Sequence, residues 1–204
     1  MMTIFITVGI APGGLEAGGR PVTSRCWMEF IAPDPKATVR TANVSATVAA
    51  FRLVPRVASE ILGRRHLGEA ERQKLSWVPV QRWLDALHDI QAVVGAVKVR
   101  DVGRGIIEHA DFPPSFRDVP DVLMGLQEIY MVNHRGNVGA YRVSRRGASI
   151  VVACATPYPR AFEHGLVLGI TGHRGFGPGR WSVDYQDGPP NGDVTCTLTV
   201  TRMT

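Results

Sequence analysis

The run VTCTLTVTR near the end of the chain does most to limit the fold. Val194, Cys196, Leu198 and Val200 alternate with Thr and Arg. A period of two sends successive side chains to opposite faces, so this strand buries one face and wets the other. Such a strand needs partners, and the residues before it supply them. RWSVDYQ and the turn DGPPNGD complete a hairpin with it. NVGAYRVSRRGASIVVACAT holds two more strand-like runs around SRRGAS, a second hairpin. Between the hairpins, YPRAFEHGLVLGITG reads as a helix started by Pro159. The C-terminal part is therefore strand-strand-helix-strand-strand.

The N-terminal half is helical. KATVRTANVSATVAAFRLV reads as a short strand and then a helix from about Asn43, kinked or restarted at Pro55. LGEAERQKLS gives a short polar helix. In WVPVQRWLDALHDIQAVVG, Pro79 suits a first turn, Trp83, Leu84, Leu87, Ile90 and Val94 form an apolar stripe, and Gly95 ends the helix. VKVRDVGRGIIEHA is another helix, and DFPP is a turn. Asp118 then caps one long helix through DVLMGLQEIYMVNHR, stopped by Gly136. The whole is an α+β domain, a helical N-terminal half followed by an antiparallel sheet packed on helices, spanning 36–204. Residues 1–35, rich in Gly and Pro, read as a flexible leader with a short strand at Ile4 to Val8.

Bulk properties exclude several classes. The net charge is +5, but the basic residues occur as scattered pairs such as Arg64-Arg65 and Arg145-Arg146, without the patch or stripe of a nucleic-acid binder. The odd set Cys26, Cys154 and Cys196, with no CxxC, suits reduced thiols in a cytoplasm. The apolar N-terminal run breaks after Ile10, and no stretch is long enough to span a membrane.

Chemistry concentrates in YMVNHRGNVGAYRV and CATPYPRAFEHG. His134 and Arg135 stand where a helix end would welcome cations. Alternatively, with Asn133, they hold an anionic or carbonyl group at a pocket mouth. Cys154 and Cys196 read as small buried hydrophobes, or as zinc ligands joined by His134, His164 or His173. Only two cysteines lie in this region, short of the four ligands a zinc site wants, which argues against metal. A nucleophile reading pairs Cys154 with His134 or His164, with Glu163 orienting the base. GHRGFGPGR lacks the GxxxxGK[ST] pattern of a phosphate loop and reads as a connection. Trp77, Trp83 and Trp181 are aromatics of the core or of a pocket.

From Trp77 to Val200, and best from Tyr130 onward, the chain resembles the superfamily of 4-vinyl reductase domains, heme nitric-oxide-binding domains and TRAPP trafficking subunits. Cys154, Tyr158, Gly165 and Gly169, then Gly192, Asp193 and Cys196, carry the resemblance. It implies a small apolar or heterocyclic ligand, or a covalent acyl chain, enclosed between helices and sheet, and it implies dimerisation. FPPSFR, Phe112 to Arg117, is similar to the Pro-Ser-Phe turn of the heme-binding members. His88 and His109 precede it at other spacings, and Tyr141-Arg-Val-Ser144-Arg145 departs from their propionate-binding motif, which argues against heme. The resulting expectation is a non-enzymatic cytoplasmic sensor or adaptor domain that names no cofactor. Its pocket would lie between the sheet and the helices at Trp83–Ile107 and Phe162–Ile170. Tyr130, His134, Arg135, Cys154, Tyr158 and His164 are its expected ligand-binding residues. A Cys/His-dependent reductase or hydrolase using Cys154 and His134, and a structural adaptor in a larger assembly, remain alternatives.

Overall fold

The computed structural model describes residues 4–5, 29–51, 55–108, 110–177, 179–189 and 192–203. Cys26, His109 and most of the expected leader lie outside the described residues. The described chain runs β1 (Ile4–Phe5), β2 (Thr38–Arg40), α1 (Thr41–Ala50), α2 (Pro55–Arg64), α3 (Glu69–Lys74), β3 (Trp77–Pro79), α4 (Val80–Val94) and α5 (Ala96–Glu108). It continues with β4 (Ala110–Asp111), α6 (Val119–Met124), α7 (Leu126–Val132), β5 (His134–Arg135), β6 (Ala140–Arg146), β7 (Ser149–Ala155), α8 (Arg160–Gly172), β8 (Trp181–Asp187) and β9 (Cys196–Arg202). This is the expected α+β architecture.

The main sheet is antiparallel in the order β6-β7-β9-β8, so the two expected hairpins join through β7 and β9. Cys196, Leu198 and Val200 of β9 are buried, in step with Ile150, Val152 and Cys154 of β7. α8 lies over this face and crosses α5 almost backbone to backbone. A Cβ at Gly165 would sit 2.0 Å from the Arg100 carbonyl oxygen, and one at Gly103 would sit 2.3 Å from that of Phe162. Glycine is what lets the two helices approach so closely. Together they bring one wall of side chains, Ile106 and Ile107 from α5 and Phe162, Leu166 and Ile170 from α8, to a shared interior.

Three local expectations change. The expected helix from Asp118 to Arg135 is two short helices broken at Gly125, where the Phe116 ring fills the place of a side chain, 2.4 Å from an ideal Cβ. His134 and Arg135 form a strand instead of a helix end, because β5 pairs with β2. Trp77–Pro79 is likewise a strand, antiparallel to β2, so α4 begins only at Val80. Pro55 does restart a helix, and Asp118 does cap one, its side chain accepting from the Asp121 N–H at 2.9 Å. Glu29 to Lys36 are held to the domain: the Phe30 N–H bonds the Pro157 carbonyl at 2.8 Å, and the Ala32 N–H bonds Gln81 at 2.8 Å.

Candidate functional site

A cavity of about 120 Å³ lies between α1, α5, α6, α7 and α8. Trp83, Phe112, Leu126, Ile129, Phe162 and Leu166 make most of its wall apolar, and a polar edge is supplied by Tyr130, Asn133, His134, Tyr141 and Tyr158. Tyr130 and His134 face it because the end of α7 runs straight into β5. Tyr158 faces it because Pro157 and Pro159 hold the turn between β7 and α8.

Hydrogen bonding fixes the imidazole. His134 Nδ1 is 2.8 Å from the Tyr130 carbonyl oxygen. A carbonyl only accepts, so the proton sits on Nδ1. Nε2 then accepts from the Tyr158 hydroxyl at 2.7 Å. Burial pushes the His134 pKa down to about 4, against the opposing pull of the Tyr130 carbonyl. The ring is neutral at ordinary pH. Burial likewise raises the hydroxyls of Tyr130, Tyr141 and Tyr158 above the usual tyrosine value. The Tyr130 hydroxyl donates to the Val138 carbonyl at 2.7 Å.

Behind the cavity stands a residue that the sequence offers only as a partner for a base. Glu163 on α8 is fully buried. Its Oε1 accepts from the Thr156 hydroxyl at 2.5 Å, and its Oε2 accepts from the Tyr141 hydroxyl. Burial raises its pKa to about 7, and the two donated hydrogen bonds act the other way. A signal was present: Glu163, Val167 and Ile170 follow helical spacing on the buried face of α8.

The expected site residues thus separate. Tyr130, His134 and Tyr158 meet at the cavity. Cys154 is fully buried in β7 opposite Cys196 of β9 and does not line it. A hydrogen bond to Cys196 and burial raise the Cys154 thiol pKa. Arg135 is exposed, its guanidinium 3.9 Å from the Trp77 ring centroid. His164 faces an outer cleft and stacks on Tyr185 at 5.1 Å. Arg160 ion-pairs with Glu29 and Asp187. Among the described residues no group of three or more His, Cys, Asp or Glu could hold a metal ion. No described helix is long and apolar enough to cross a membrane.

No protein-family model matches the chain, and no curated protein matches it in sequence. Solved structures do match in fold. An oxygen-binding H-NOX domain related to soluble guanylate cyclases, in its oxygen complex, has 17% identity and a TM-score of 0.55, covering 81% of this chain and 95% of that one. A point variant of T. tengcongensis H-NOX has 15% identity and a TM-score of 0.57, covering 80% and 97%. An S. oneidensis H-NOX in the Fe(II) state has 12% identity and a TM-score of 0.52, covering 78% and 96%. These carry the heme–nitric-oxide-binding side of the expected resemblance and give no support to the 4-vinyl reductase side. In fold, this chain is similar to H-NOX domains.

Proposed function

We propose that the chain is a non-catalytic ligand-binding domain of sensory type, and that its ligand is a small uncharged molecule seated beside His134 and Tyr158. The observation that carries this reading is the pairing of a neutral imidazole with a tyrosine hydroxyl at the edge of an otherwise apolar cavity. Ligand sites in general combine an apolar lining with a few convergent polar groups. The Tyr158 hydroxyl spends its proton on His134 and keeps lone pairs that can accept from a ligand N–H or O–H.

Among the similar structures, one is an oxygen complex and another concerns porphyrin distortion and heme redox potential. The described residues here do not fit a porphyrin. The cavity of about 120 Å³ is far below the roughly 300–1,000 Å³ of sites for larger ligands. It is closer to the roughly 150 Å³ cavity that takes benzene or xenon. No Lys or Arg among the described residues lines it to meet propionates, and Ser144 and Arg145 are exposed on β6. Both ring nitrogens of His134 are already bonded. His88 packs edge-on to Phe30, away from the cavity.

A thiol-dependent enzyme has less support. The Cys154 thiol is buried and held protonated, whereas a nucleophilic cysteine needs an exposed, electropositive setting. A cytoplasmic location belongs to the proposal through the sparse, odd cysteine set with no CxxC, and a homodimer through the resemblance, which light scattering checks.

The test is a calorimetric titration of the full chain with pyrrole and with furan. Pyrrole, which offers an N–H to Tyr158, should saturate and bind about 3–10-fold more tightly than furan. Leu126→Phe, which fills the cavity, should abolish both. Absence of saturable binding, or a stoichiometric Soret band on adding hemin, overturns the reading.

A further inference from the structure

A second concavity, of about 300 Å³, opens at the N-terminus of α1 and is lined by Arg40, Thr41, Ala42, Ser45, Arg72 and Ser76 among others. It shares no lining residue with the cavity beside His134. Its residues are almost all donors, and much of their capacity is unused. α1 has no side-chain cap. The Thr41 N–H is taken by the Ser76 carbonyl at 3.0 Å, and the following N–H groups of a helix's first turn have no intrahelical acceptor. These are the orphan donors at the positive end of a helix of three turns.

Two arginines border the same space without a carboxylate in ion-pair contact among the described residues. Arg72 donates to the Ser45 hydroxyl at 3.1 Å and to the Leu67 carbonyl at 2.6 Å, which holds its guanidinium in place. Glu69 and Glu71 act on it only through space. Arg40 lies 5.8 Å from the Trp77 ring centroid.

An independent observation points the same way. Thr41 is 5% exposed, and its Oγ1 is buried with no hydrogen-bond partner. Native structures seldom leave a buried hydroxyl unpaired, because desolvation then goes uncompensated. A ligand oxygen accepting from it would remove that cost. An uncapped helix start, two arginines and spare hydroxyls of Ser45 and Ser76 call for an acceptor with several oxygens and negative charge.

We infer that this concavity is a binding site for a tetrahedral oxyanion, the phosphate group of a small molecule. The inference is independent of any ligand beside His134. Arg and the helix N–H groups hold the charge and orient the oxygens, and the open side leaves one oxygen free to carry an ester.

The test is an amide NMR titration of the full chain at constant ionic strength, with inorganic phosphate in one arm, glycerol phosphate in another and chloride as reference. Both phosphates should give saturable shifts at Ala42, Asn43 and Ser45, and chloride should not. Tighter binding of glycerol phosphate marks an ester as the source, and equal binding marks free phosphate. Arg40→Ala should weaken binding about tenfold while leaving the thermal midpoint unchanged. Thr41→Val, which removes the unpaired hydroxyl at similar volume, should weaken binding without lowering the midpoint of the free protein. Shifts that fail to saturate, that chloride reproduces, or that both variants retain at full affinity overturn the inference.

Discussion

His134 and Arg135 are neighbours in the sequence and meet opposite fates. Both lie in β5 against β2, and a strand sends adjacent side chains to opposite faces. His134 turns inward and is 7% exposed, with both ring nitrogens bonded. Arg135 turns outward onto Trp77, on the side of the sheet where Arg40 also sits. β2 repeats the division, with Val39 buried opposite His134 and Arg40 opposite Trp77. The inner region therefore pushes its groups toward neutrality, with His134 unprotonated and the Glu163 carboxyl raised to about 7 by burial. The outer region keeps its charge and leaves donors open. One surface is suited to a small uncharged ligand, the other to an anion.

The largest effect that could break this contrast is at Glu163. Unfolded, it releases its proton near 4.5, and folded, near about 7. Between those values the folded chain holds a proton that the unfolded chain has lost, so stability falls as pH rises and the loss completes above about 7. His134 runs the other way, losing stability as pH falls from 6.5 toward about 4. The two slopes oppose each other in the overlap, and Glu163 dominates above it. From pH 5 to pH 8, urea unfolding of the native chain should lose on the order of 2 kcal/mol relative to Glu163→Gln. Parallel pH profiles would show that Glu163 ionises as if exposed.

Next in size is Tyr158→Phe, which keeps the ring and removes the donor to His134 Nε2. A buried acceptor left alone costs about 1–3 kcal/mol, read as a lower urea midpoint at pH 7. An unchanged midpoint would mean that the inner polar pair is not worth its burial. Against both, the outer arginine Arg40 is expected to move affinity for phosphate and leave stability alone.

The sequence disclosed whatever had length and period. The alternation in β9, the two hairpins and the α8 helix needed only a few residues each to declare themselves. The strands Trp77–Pro79 and His134–Arg135 are too short for any period to show, and their existence depends on pairing with β2, a contact remote in sequence. For the same reason His134 and Arg135 read as a helix end. The break at Gly125 depends on Phe116 arriving from outside the helix. At the site, the clustering of Tyr130, His134 and Tyr158 was legible as clustered chemistry, but their mutual hydrogen bonds were not. The concavity at α1 left little mark, because Arg72 reaches it from a separate helix.

The most direct measurement is the ¹⁵N spectrum of the His134 ring, recorded with and without saturating pyrrole. The account predicts the neutral tautomer with its proton on Nδ1, persisting down to a pH near 4, and a change in the Nε2 resonance when pyrrole binds beside Tyr158. A ring that titrates near 6.5, or an Nε2 resonance indifferent to saturating pyrrole, would contradict it.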